Sequence, residues 1–138
     1  MEVEKRSSIR SRSKVLVVDD FEPARFVRTS VLERAGFDVV AADSASAARA
    51  RATTEIPDVA LLDVDLPDED GFQLCASLKR LYPALPVLLI SAVHMESWTR
   101  DLGVNVGASG YLREPVAASA LSDRKLIMSS TLNSPERR

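Results

Sequence analysis

The residues of this chain best suited to chemistry stand at the ends of short apolar runs. VLVV (Val15 to Val18) leads into Asp19 and Asp20, VALL (Val59 to Leu62) into Asp63, PVLLI (Pro86 to Ile90) into Ser91, and GYL (Gly110 to Leu112) into Arg113 and Glu114. Each has an ordinary structural use: Asp20 can cap a helix, Asp63 can begin a turn, and Ser91 can bond a neighbouring amide. Gathered in one place, however, like charges are costly unless a cation or a proton compensates them. Hard oxygen ligands in a partly hydrated crevice suit Mg²⁺, which takes one or two protein carboxylates and keeps several waters. An aspartate beside such a metal can accept a phosphoryl group, the carboxylate acting as nucleophile while the metal neutralises phosphate charge during in-line attack.

Whether these groups meet depends on the elements that carry them. With FDVVAA (Phe37 to Ala42) the chain has five apolar runs of strand length. Segments with helical spacing lie between them. Ala24, Val27, Val31 and Ala35 repeat on one face before the helix-ending Gly36. Ser44 is placed to cap Ala45 to Thr54, and Cys75, Leu78 and Leu81 form a stripe that Pro83 terminates. A short fourth helix is expected within His94 to Val106, and Pro115 suits the first turn of a last helix carrying Val116, Ala120 and Ile127. Strands alternating with helices imply parallel pairing, because right-handed crossovers connect parallel strands and cover both sheet faces. The expected fold is a doubly wound (βα)5 α/β sandwich, in which the functional crevice lies beyond the carboxyl ends of the strands. Those ends are where the acids stand.

Composition narrows the remaining choices. A chain of 138 residues, 46% apolar and 28% charged, suits one globular domain. A formal charge of −2 gives no general attraction to nucleic acid or an anionic membrane. Residues 1–13 are locally basic and read as a flexible tail, with a nucleic-acid arm as the sharper alternative. Residues 130–138 read as a frayed C-terminal tail. One cysteine, Cys75, cannot form an internal disulfide and falls in an apolar pattern, so a buried thiol in a reducing compartment is expected. No apolar run approaches transmembrane length and no signal-peptide core follows the basic start, which makes a cytoplasmic location the default.

VLVVDDFEPAR, LLDVDLPDEDGF, LLISA and GASGYLREPV, in this order and spacing, resemble the receiver domains of two-component response regulators. The resemblance covers Lys14 to about Met128, which sets the receiver domain at 14–129, and implies a flavodoxin-like five-stranded sheet in the order 2-1-3-4-5. It implies that Asp63 is the phosphoacceptor, supplied by a histidine kinase or phosphotransfer protein. Asp19, Asp20 and Asp63 would hold Mg²⁺ together with the backbone carbonyl of Asp65. Ser91 matches the hydroxyl that bonds the phosphoryl oxygen, Tyr111 the aromatic that moves with it, and Asp65 and Val93 the positions that tune dephosphorylation. The state would be relayed to a downstream target or effector domain through the face formed by the fourth helix, fifth strand and fifth helix. That face commonly pairs receivers as homodimers, and Trp98 lies on it as a possible contact. The resemblance implies no direct nucleic-acid or membrane binding, and no enzymatic role beyond the domain's own phosphoryl transfer and dephosphorylation.

One position departs from the pattern. Before the proline of YLxKP the family has a lysine that reaches the phosphoryl group; here the residue is Glu114. Two unit charges about 4 Å apart interact by about 4 kcal/mol at an effective dielectric of about 20, so exchanging attraction for repulsion is not a small change. Strand alternation turns Glu114 inward and Arg113 outward. A local bulge could bring Arg113 back, Glu114 could take a proton, or Glu114 could turn to solvent and leave a metal with no fixed cation.

Other classes compete. The departure at Glu114 admits a receiver that signals by protein contact with little dependence on phosphate. DVDLP (Asp63 to Pro67) resembles the start of the haloacid-dehalogenase phosphatase motif, but Pro67 stands at its Thr/Val position. A purely structural module, whose acids only solvate a sheet edge, would bind no Mg²⁺ specifically.

Overall fold

The computed structural model describes residues 12–91, 102, 105–114, 116, 118–122 and 127. Residues 1–11 of the expected tail at 1–13, the expected tail at 130–138, most of the segment 94–106, Val93, Trp98 and Pro115 lie outside the described residues.

Five strands form one parallel sheet: β1 (Lys14–Val18), β2 (Asp38–Ala42), β3 (Val59–Asp63), β4 (Val87–Ser91) and β5 (Gly110–Arg113). Their spatial order is β2-β1-β3-β4-β5, so the winding reverses between β1 and β3. Val18 pairs with Ala42 on one side and Leu62 on the other, and Asp63 with Ile90, so the carboxyl ends of the central strands finish level.

The apolar runs are continuous because both faces are covered. Leu16, Val18, Ala60, Leu62 and Leu89 face one way, against α2 (Ala45–Thr54) and α3 (Gly71–Leu81). Val15, Val17, Leu61 and Ile90 face the other way, against Leu32 of α1 (Glu22–Arg34) and against Leu121 and Ile127. Alternate residues of one strand therefore enter two separate cores.

Local chemistry sets the helix ends. Ser44 caps α2 as expected, its hydroxyl accepting from the Ala47 amide at 3.1 Å, and Asp70 caps α3 by accepting from Gln73 at 2.8 Å. Gly36 takes a φ of 99° just past α1 and turns the chain toward β2. The first residue of α3 must be glycine for a different reason. A Cβ on Gly71 would meet the Asp63 carbonyl oxygen at 2.4 Å, so the helix can start against the end of β3 only without a side chain there.

Two expected helix faces are corrected. On α1 the inward positions are Arg28 and Leu32, while Val27 is 54% exposed. Val31 and Ala35 of the expected repeat do pack against the core and Val27 does not; the most deeply buried row holds Arg28, and a buried arginine carries no apolar signal. On α3 the buried side chains include Phe72, Leu74, Cys75 and Leu78; Leu81, in the last turn, is exposed. Cys75 is buried as expected, with its thiol against the Val106 carbonyl at 3.5 Å and its pKa pushed by burial to about 11. Among the described residues no helix is long and apolar enough to cross a membrane.

Candidate functional site

At the carboxyl end of β1, Asp19 extends the ladder by donating its amide to Ala42 at 3.1 Å, which turns its side chain into the crevice at the winding reversal. It is 2% exposed. Its Oδ1 accepts from the Phe21 amide at 2.9 Å and its Oδ2 from Arg28, while its carbonyl accepts from Arg25 Nη1 at 2.8 Å. Asp20 is exposed and is not the cap of α1; that position belongs to Phe21, which makes no side-chain cap hydrogen bond.

Asp63 ends β3 half-buried, and its Oδ1 accepts from the Asp65 amide at 3.1 Å, so the turn-forming use of this aspartate is also realised. Burial raises its pKa to about 6. The Asp65 hydrogen bond and the Arg28 charge pull the value down, and the charges of Asp19 and Asp65 push it up. Asp19, Asp20 and Asp63 each offer a carboxylate oxygen, all lying within 4.8 Å of one another. Three hard oxygens this close, one on a nearly buried residue and one on an exposed residue, suit a divalent cation that keeps part of its water.

β4 and β5 supply the opposite wall. Ser91 is buried and pairs with Arg113 across the two strands; the Glu114 amide then donates to the Ser91 carbonyl at 2.8 Å, which carries the pairing one residue further. Arg113 is exposed and Glu114 half-buried, as alternation required. No bulge brings Arg113 back. Tyr111 is half-buried and packs against the core that includes Leu89.

The sequence reading missed Arg28. It is 4% exposed, and its guanidinium is shared between Asp19 Oδ2 and Glu114 Oε2. Glu114 therefore has a cation partner from α1, and neither protonation nor turning to solvent is needed to explain it. A usable signal was present: Arg28 stands four residues after Ala24 and four before Leu32, on a row that the helix turns inward.

A second acidic group steadies the same end of the sheet. Asp68, in the loop after β3, accepts from the amides of Ala45 and Ser46 at 3.0 and 2.9 Å, and these bonds at the start of α2 hold its carboxyl below the usual range. Arg49 of α2 pairs with Glu69 and donates to Ser77 at 2.9 Å, tying the loop and α3 to α2.

Residues 15–125 match the family model described as the response regulator receiver domain. The alkaline phosphatase synthesis transcriptional regulatory protein PhoP of Bacillus subtilis is 36% identical over 111 residues, covering 80% of this chain and 46% of PhoP. The transcriptional regulatory protein CreB of Escherichia coli is 38% identical over 104 residues, covering 75% of this chain and 45% of CreB. The chain thus spans about half the length of these relatives. Among solved structures, the chemotaxis protein CheY4 of Vibrio cholerae superposes with a TM-score of 0.77 at 29% identity, covering 80% of this chain and 92% of CheY4.

Proposed function

The chain belongs to the response regulator receiver domain family, whose members are phosphoacceptors in two-component signalling, and on that premise we propose that Asp63 is its phosphoacceptor. The observation that carries the assignment is the cluster of Asp19, Asp20 and Asp63 at the winding reversal, their oxygens within 4.8 Å of one another. Asp63 is the member that itself ends a central strand, where Gly71 leaves space against its backbone carbonyl.

Asp19, Asp20 and Asp63 would hold Mg²⁺ together with the Asp65 carbonyl. The ion would supply positive charge to the phosphoryl oxygens as the bond forms. An Asp63 oxygen attacks phosphorus, forming an O–P bond while the bond from phosphorus to the donor's imidazole nitrogen, or to a small donor's oxygen, breaks with its electron pair. Ser91 would bond the phosphoryl oxygen and Tyr111 would follow its movement. The donor is a histidine kinase or phosphotransfer protein, and the exposed Phe21, Phe26 and Val27, at the start and on the first turns of α1, are candidate apolar contacts for it. The receiver unit spans residues 14–129, acts in the cytoplasm and passes its state to a protein target or effector domain. It catalyses at most its own phosphorylation and dephosphorylation.

A second reading is supported by Glu114. A site with an acid where the family has a lysine could signal through protein contact with weak dependence on phosphate.

Incubation with a small phosphodonor and Mg²⁺ tests the assignment of Asp63, and the same labelled chain, compared with the unlabelled one for a change in its conformation, tests the second reading. One stoichiometric label, lost in Asp63→Asn, is expected. Labelling of Asp63→Asn equal to that of the native chain would remove the assignment, and repeated turnover of a phosphomonoester would favour a phosphatase.

A further inference from the structure

Arg28 holds one of the two carboxylate oxygens of Asp19, the most buried acid of the cluster. Asp19 Oδ1 is bonded to the Phe21 amide and Oδ2 to Arg28, so both oxygens of the most buried acid are engaged from within the chain. A divalent cation claiming Asp19 would meet a guanidinium one carboxylate oxygen away, and the two positive charges repel. The same guanidinium already bonds Glu114 through its other terminal nitrogen. Its fork geometry lets it serve two acids at once and lean toward either without leaving the buried site. Arg28 and Glu114 also line a shallow groove between α1 and the helix at Ala118–Ser122, next to Val31 and Leu121.

We infer that Arg28 and Glu114 work as a pair that sets how strongly Asp19 takes a divalent cation, with Arg28 passing from Asp19 to Glu114 as the cation arrives. Both are positioning residues, and the inference rests on the reading of Asp19 as a metal ligand. On this account the acid at position 114 is a receiving partner for a cation supplied by the first helix. It attracts the guanidinium that would otherwise stay on Asp19, and its effect on the metal passes through Arg28.

The test is a calorimetric Mg²⁺ titration of the full chain as native, Arg28→Gln, Glu114→Gln and the double variant. Glu114→Gln is expected to weaken Mg²⁺ binding by about tenfold and Arg28→Gln to tighten it by about tenfold. The double variant is expected to match Arg28→Gln within about threefold, because Glu114 has no route to Asp19 once the guanidinium is gone. Effects that simply add, returning the double variant to the native affinity, overturn the inference, as does equal affinity in all four proteins. Should Arg28→Gln fail to fold, Arg28→Lys replaces it: an ammonium cannot fork between both acids, so the Glu114→Gln effect should fall below about threefold on that background, and an unchanged effect overturns the inference. Loss of Asp63 labelling with the coupling intact would instead refute the phosphoacceptor reading alone.

Discussion

Arg28 on the first helix donates to Glu114 just beyond the fifth strand, a hydrogen-bonded ion pair that spans 86 residues of sequence. It links the first helix to the end of β5, and through Asp19 it links both to the carboxyl end of β1. Glu114 is thereby changed from an isolated anion in an acidic crevice to the more exposed half of a partly buried charge pair.

Truncating Arg28 should cost stability beyond its lost packing. Arg28→Met leaves Asp19, almost fully buried, without its cation, and breaking a buried pair from one side costs about 3–5 kcal/mol. Urea unfolding is expected to show a loss near the lower end of that range, because Glu114 retains some solvent contact. Adding Mg²⁺ should recover part of it.

Gly71→Ala should damage both fold and site. The added methyl meets the Asp63 carbonyl at 2.4 Å, and overpacking of this kind costs about 1–3 kcal/mol. A lowered urea midpoint is expected, with a fall in phosphodonor labelling larger than that of an exposed control such as Ser46→Ala.

The raised pKa of Asp63 gives a pH dependence of definite sign. Between about 4 and 6 the folded chain keeps a proton on Asp63 that the unfolded chain releases, so stability falls as pH rises through that window. In the presence of a chelator, Asp63→Asn should therefore be more stable than the native chain at pH 7.5, by about 1 kcal/mol after allowance for solvent at a half-exposed carboxyl. The advantage should vanish near pH 4. Added Mg²⁺ should stabilise the native chain at pH 7.5 and leave Asp63→Asn nearly unchanged.

Restoring a lysine at position 114 should not act as a simple reversion. Glu114→Lys sets an ammonium against the Arg28 guanidinium and takes away the acid that draws it from Asp19. Mg²⁺ binding weaker than in Glu114→Gln is expected, and calorimetry checks it.

Most of the sheet was legible because parallel strands buried on both faces write themselves as continuous apolar runs: VLVV, VALL and PVLLI each lie within one residue of an observed strand. The acids were legible for the same reason, since a strand end fixes where its next residue stands. Arg28 was not. A charged residue turned inward is invisible to a hydrophobic repeat, and what makes it tolerable, Asp19 at the end of one strand and Glu114 at the end of another, exists only once the sheet has formed. Leu81 failed in the opposite sense, fitting the repeat but falling in the final turn, where α3 has run past the sheet.

The central claim is that phosphate is taken at Asp63, and the most direct measurement locates the adduct. After treatment with a small phosphodonor and Mg²⁺, borohydride reduction converts an aspartyl phosphate to homoserine, which peptide mass spectrometry assigns to a position. Homoserine at position 63 alone, absent from the untreated chain and from Asp63→Asn, is the predicted result. A label that maps to Asp19, Asp20, Glu114 or a hydroxyl instead would contradict the account.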